Sequence, residues 1–212
     1  MNRSLRIGVG IAVFLVSLSG VGLAQQVKRT PFDVTNYRMD VTLDPLENKL
    51  AATVDVNFTP LEDARSITFE LNGSLKVESV DRISGTTPPT QQTAKPAKVP
   101  QPTAGRSQVT FIQDQVGVND GPNVRIDLGE NIVKGSQVTL RFKYSGVLNT
   151  PEGGPLLNKR LAYIGANEGY LMYAARWFPF HDYASDLATA DITVGVPAGL
   201  QVVGSSDMPV TV

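Results

Sequence analysis

The chain has 212 residues, enough for one domain with a substantial buried core. Hydrophobic residues at 42% and charged residues at 18% exclude a chain that is disordered throughout. Nineteen cations against 20 acids leave a formal charge of −1, without the basic surplus that nucleic-acid binding uses.

The first 24 residues read as a leader. Arg3 and Arg6 precede an apolar run from Ile7 to Leu18, and small residues end at Gly22-Leu23-Ala24. A basic start, an apolar stretch and a small-residue cleavage site make a secretory signal. Residues 1–24 are therefore expected to be removed, leaving a single domain over 25–212 that is exported, periplasmic or secreted. The rival is an uncleaved anchor, but the run is shorter than the roughly 20 residues that span a bilayer. No membrane contact is expected after cleavage. The chain has no cysteine, so export would bring no disulfides, and stability must rest on burial and the backbone ladder.

Beyond the leader, apolar and polar residues alternate. Tyr37, Met39, Val41 and Leu43 share one parity, and Leu50, Ala52, Val54, Val56 and Phe58 repeat it after a polar turn. Side chains of a strand alternate faces, so the pair predicts a hairpin of two long strands. Ile67, Phe69 and Leu71 predict a third strand. Leu75, Val77 and Val80 predict a fourth with a slip or bulge. Val109 with Phe111, then Val124, Ile126 and Leu128, predict two more. Val138, Leu140, Phe142 and Tyr144 predict another, and Ala190, Ile192, Val194 and Val196 the last, ended by Pro197-Ala198-Gly199. No stretch of the mature chain has helical spacing. Many short strands divided by turns predict an all-β, sandwich-like fold.

One stretch, at about 86–107, holds Pro88, Pro89, Pro96, Pro100 and Pro102 and almost no apolar residue. It cannot repay its ordering entropy by burial. It reads as an exposed loop inserted between strands, with a linker between two domains as the alternative. An outer-membrane barrel is a further alternative for a leader followed by alternating strands, but the proline-rich stretch and uneven strands argue against it.

Catalytic chemistry is sparse. A zinc site of the HExxH type needs two histidines on one helix face, and this chain has only His181. The acids match no calcium loop. His181 lies near Asp182, Ser185 and Asp186, but no G-x-S-x-G elbow occurs, and His181 reads as a surface or packing residue. No catalytic and no metal-ligating residue is assigned. The most distinctive stretch runs from Tyr170 to Tyr183 and holds the only tryptophan, Trp177. It reads either as a core strand entering a proline turn or as an aromatic binding surface.

Here a family resemblance enters. Ala174 to Ala184, then Ala188 to Val194 and Val196 to Leu200, resemble the end of the N-terminal domain of aminopeptidase N-like zinc metallopeptidases, peptidase family M1. Members carry an Ala-Arg segment, an aromatic-Pro pair, Cys-Phe-Asp-Glu-Pro, and Lys-Ala-Thr-Phe-Asp-Ile-Thr-Val. Phe178-Pro179, Asp182, Ala188-Thr189 and Asp191 to Val194 match in register. Val34 to Pro45 resembles the opening strand of that domain and Leu50 to Phe58 its partner. The resemblance spans about 32–204. It departs where Phe180 to Ala184 replaces Cys-Phe-Asp-Glu-Pro.

The resemblance implies a saddle-shaped β domain that packs against a zinc-binding catalytic domain, in cis or in trans. It implies no cofactor in this chain and zinc in the full-length family. Proteolysis would occur elsewhere, with a peptide substrate whose N-terminal end this domain helps to bind. Glu168 stands at the position of a family glutamine that helps hold the free amine, and Tyr170 at that of a glutamate. The chain stops about where the catalytic domain would begin, which suggests a truncated form, a split-gene product, an isolated domain or a stand-alone relative. The second expectation is a secreted β-sandwich module that binds glycan or protein around Trp177 and has no peptidase role.

Overall fold

A computed structural model of the chain describes residues 31–84, 105–114, 123–153, 158–181 and 187–207. The leader and most of the proline-rich stretch lie outside the described residues. Those described form an all-β, sandwich-like fold with one short 3-10 turn, Ala174–Arg176.

The strands are β1 (Phe32–Asp44), β2 (Lys49–Pro60), β3 (Ala64–Glu70), β4 (Lys76–Ser84), β5 (Gly105–Gln108), β6 (Thr110–Gln113), β7 (Asn123–Ile132), β8 (Val138–Val147), β9 (Ala162–Ile164), β10 (Gly169–Leu171) and β11 (Thr189–Gly195). A six-stranded sheet has the order β11-β1-β2-β8-β4-β5, and a three-stranded sheet the order β3-β7-β6. β9 and β10 pair separately. Every pairing is antiparallel except β1 with β11. The sheets are open, which sets the barrel reading aside.

The expected β1–β2 hairpin forms. Its turn is made by Asp44, whose carboxylate accepts the backbone N–H groups of Leu46 and Glu47 at 3.1 and 3.3 Å. Asn48 closes the turn at φ 53°, a left-handed conformation that asparagine tolerates. The slip expected in β4 is a register shift between Val77 and Ser79. There the side chain of Gln113 stands in for a missing strand partner. Its amide donates to the Leu75 carbonyl at 2.6 Å and accepts the Val77 N–H at 2.9 Å.

The proline-rich stretch joins two neighbouring strands of one sheet, since β4 and β5 pair from Asp81↔Gln108 to Ser84↔Gly105. The chain then passes Val109, whose N–H bonds the Val80 carbonyl, and enters the three-stranded sheet as β6. One extended segment thus serves both sheets.

The core lies between the two sheets. The large sheet supplies Val34, Met39, Leu50, Val54, Val56, Phe58, Leu140, Phe142 and Tyr144, and the small sheet Ile67, Phe69, Val124 and Ile126, all essentially buried. Phe69 reaches across the gap. Its ring centroid is 5.0 Å from Phe32 and 5.3 Å from Phe142, both edge-on, and 6.2 Å from Phe58. Edge-to-face aromatic pairs contribute beyond their burial.

The outer face of the large sheet is polar and ordered in rows. Asp191, Arg38, Asp55, Arg141 and Asp81 stand opposite one another on five successive strands. Arg141 binds Asp55 in a bidentate pair, with both N···O distances 2.6 Å. A second row is hydrogen-bonded: Thr139 donates to Asn57, Asn57 to Asn36, and Asn36 to Thr189.

Phe69→Ala removes the ring that links the sheets. It is expected to lower unfolding stability by about 3–5 kcal/mol, read as a lower urea midpoint at unchanged slope. The same change at Ile112, half-exposed on β6, is expected to cost well under half as much.

Candidate functional site

The segment that carried the family resemblance forms one rim of the sandwich. After β10 the chain makes the 3-10 turn and runs beside β3. Asn72 N–H bonds the Ala175 carbonyl at 2.9 Å, and Glu70 and Phe180 exchange backbone bonds at 2.8 and 2.9 Å. This is a turn and a single bridge, where a core strand was one of the two expectations. Proline and the need to drop two bulky rings inward prevent a regular ladder here.

The aromatic run faces the core. Trp177 and Phe178 are 7% and 8% exposed. Phe178 packs edge-on against Tyr37 of β1 at 5.1 Å and against Trp177 at 4.6 Å. The Tyr144 hydroxyl donates to the Trp177 carbonyl at 2.8 Å. Asn72, also buried, donates through its side-chain amide to the carbonyls of Asn149 and Arg176 at 2.8 and 3.2 Å, fixing the turn to the loop after β8. Trp177 therefore offers no exposed platform, and the aromatic-surface reading loses the side chain on which it depended.

His181 is half-buried and stacks on Phe32, ring centroids 3.7 Å apart at 16°. That is the packing role expected of it. Asp182, Ser185 and Asp186 lie outside the described residues.

Glu168 sits on the exposed turn joining β9 and β10. Its carbonyl accepts the Gly165 N–H at 3.0 Å, and its carboxylate faces solvent. Tyr163 folds over this turn: a Cβ on Gly165 would collide with the Tyr163 hydroxyl. Tyr170 is half-buried, 6.1 Å from Tyr163, and donates to the Arg160 carbonyl at 2.9 Å. The structure thus sets Glu168 and Tyr170 on one hairpin, with the glutamate open and the tyrosine engaged.

β11 forms where alternation predicts a strand, but its inward face is not buried as alternation implies. Ala190, Ile192 and Val194 stand opposite Tyr37, Met39 and Val41, on the inward face of the large sheet. The β1 residues are buried, yet Ala190 and Ile192 are exposed, Ile192 at 49%. Phe178 packs on Tyr37, and the cover over β1 does not extend to bury Ala190 and Ile192. After β11 the chain leaves Leu200, Val202 and Val203 exposed too. Nothing among the described residues pairs with the outer edge of β11.

No cluster of three or more metal-binding side chains occurs among the described residues. A zinc ion has no fitting donor set there.

No family model and no curated protein matches the chain. Solved structures do. The M1 zinc metallopeptidase from Deinococcus radiodurans is similar at TM-score 0.57 and 22% identity, over 80% of this chain and 34% of that one. A mutant of that enzyme bound to a Tyr-Ser-Ala substrate is similar at TM-score 0.56 and 22% identity, over 79% and 33%. A two-domain M1 zinc metallopeptidase mutant bound to L-arginine follows at 0.51 and 23%, over 80% and 34%. The chain spans about a third of the length of the structures it matches.

Burial pushes the Tyr144 phenol well above its ordinary value of 10.0. In the unfolded chain the phenol ionises above about pH 10, whereas in the fold it stays protonated. Its contribution to stability is therefore complete below about pH 10 and declines as pH rises. Tyr144→Phe is expected to cost about 1–3 kcal/mol at pH 7, because the Trp177 carbonyl is left buried and unpaired. The gap to wild type should narrow between pH 10 and 12 in urea titrations.

Proposed function

We propose that this chain is a non-catalytic β domain that docks a separate zinc-binding peptidase domain and forms one wall of its peptide cleft. The observation that carries this reading is the inward face of β11. It is an apolar continuation of a sheet whose central strands β1, β2 and β8 are covered, and an apolar face in that position is the complement of another folded surface. The likeness in fold to M1 zinc metallopeptidases supports a peptidase domain as the partner.

The chemistry agrees with a division of labour. One imidazole stacked on Phe32 and no thiol leave peptide hydrolysis to the partner. Glu168, open at the tip of its hairpin, is suited to accept hydrogen bonds from the ammonium group of a peptide N-terminus, and a charged acceptor strengthens such bonds. An exported location follows from the leader-like start.

Reading the coding DNA onward from codon 212 tests this first. An in-frame segment, or an adjacent gene, that encodes an HExxH helix supports the reading. A stop codon with no such sequence nearby overturns it. The chain purified alone is expected to hold no stoichiometric zinc and to cleave no aminoacyl anilide; turnover with bound zinc would refute the proposal. With the zinc domain present, Ile192→Asp is expected to weaken docking by about 10- to 100-fold, from the loss of roughly 1.5–3 kcal/mol of apolar burial. Sedimentation of separate domains, or a split thermal transition in a joined chain, reads this out.

A further inference from the structure

The outer faces of the two sheets differ in how they treat arginine. On the large sheet, Arg38 stands opposite Asp55 and Asp191, and Arg141 opposite Asp55 and Asp81. On the small sheet, Arg125 occupies the central strand between Thr68 and Ile112. It makes no ion pair with any described residue.

A second guanidinium is brought beside it by an irregularity in β3. The register shifts between Ala64 and Ser66, so two consecutive residues, Arg65 and Ser66, are exposed where alternation would bury one. A bulge re-aims side chains in this way, and bulges are common next to binding sites. Arg65 Nε lies 3.5 Å from Asp127 Oδ1. That oxygen already accepts the Gly129 N–H at 2.9 Å. The carboxylate is therefore partly engaged by its own turn, and one negative charge faces two positive ones.

These side chains rim an open hollow of about 390 Å³, together with Ser66, Thr110 and Ile112. Ile112 is 55% exposed there. Two forked cations, two hydroxyl donors and one apolar wall are the recognition elements for a small oxyanion on a short apolar group. We propose that this hollow binds a carboxylate or phosphate monoester of that kind, with the anion between Arg65 and Arg125 and the apolar part on Ile112. The site lies on the small sheet's outer face and is independent of the peptidase reading.

Titration of the isotope-labelled chain with benzoate, phenyl phosphate and neutral benzamide, followed by amide chemical shifts, tests it. Saturable shifts confined to 65–67, 110–112 and 125–127 with either anion, and not with benzamide, are expected, with dissociation constants on the order of 1 mM. Response to benzoate alone assigns a carboxylate ligand, to phenyl phosphate alone a phosphate ligand, and either result upholds the site. Arg125→Ala is expected to weaken binding at least tenfold, Arg125→Lys less, and Arg65→Ala several-fold in a variant whose melting is unchanged. Lys159→Ala serves as the surface control. Shifts that do not saturate, that benzamide reproduces, or that survive both alanine variants overturn the proposal.

Discussion

The fold depends on one inter-sheet contact, the seating of Phe69 among Phe32, Phe58 and Phe142. Two open sheets with polar outer faces are drawn together chiefly by the apolar faces between them, and the Gln113 bonds to Leu75 and Val77 add a polar link at one edge. Phe69 is the ring by which the small sheet meets the aromatic side chains of the large one. Its neighbours come from β1, β2 and β8, the central strands of the large sheet, so the ring also fixes where the small sheet sits along them. His181 stacks on the far side of this cluster through Phe32, which ties the rim segment to the same group of rings. The rim, the small sheet and the strand that becomes β11's partner are thus positioned by a shared contact.

Much of this architecture was legible in the sequence, because alternation reports a strand whether or not its inward face is covered. All eight predicted strands are present. The bulge in β4 was visible as a break in parity at Leu75, Val77 and Val80. The same property explains the main surprise. Ala190, Ile192 and Val194 alternate as well as Met39 and Val41 do, yet the β1 residues are buried while Ala190 and Ile192 are exposed and Val194 is only half-buried. Periodicity marks the face that seeks cover and is silent about whether cover is present.

The short hairpin β9–β10 was not predicted. Three-residue strands give too few alternations to register, and Gly165 and Gly169 mark only a turn. Nor could sequence show that Trp177 points inward, since a run of Tyr, Trp and Phe serves equally in a core or on a surface. The resemblance singled out Glu168, and the fold adds that it stands on the exposed turn between β9 and β10. The Arg65–Arg125 hollow left no sequence signal, because it arises from a one-residue shift in β3 that brings two distant arginines onto one face.

The antiparallel pairing of β4 with β5 has an evolutionary consequence. Ser84 and Gly105 are held as cross-strand neighbours, so the intervening connection begins and ends at almost the same place whatever its length. Closing such a connection costs only about 0.6 kcal/mol for each doubling of its residues. Selection on stability would then scarcely register insertions at this point, and a lineage could lengthen, shorten or exchange the passage while the sheets beneath it stayed in register.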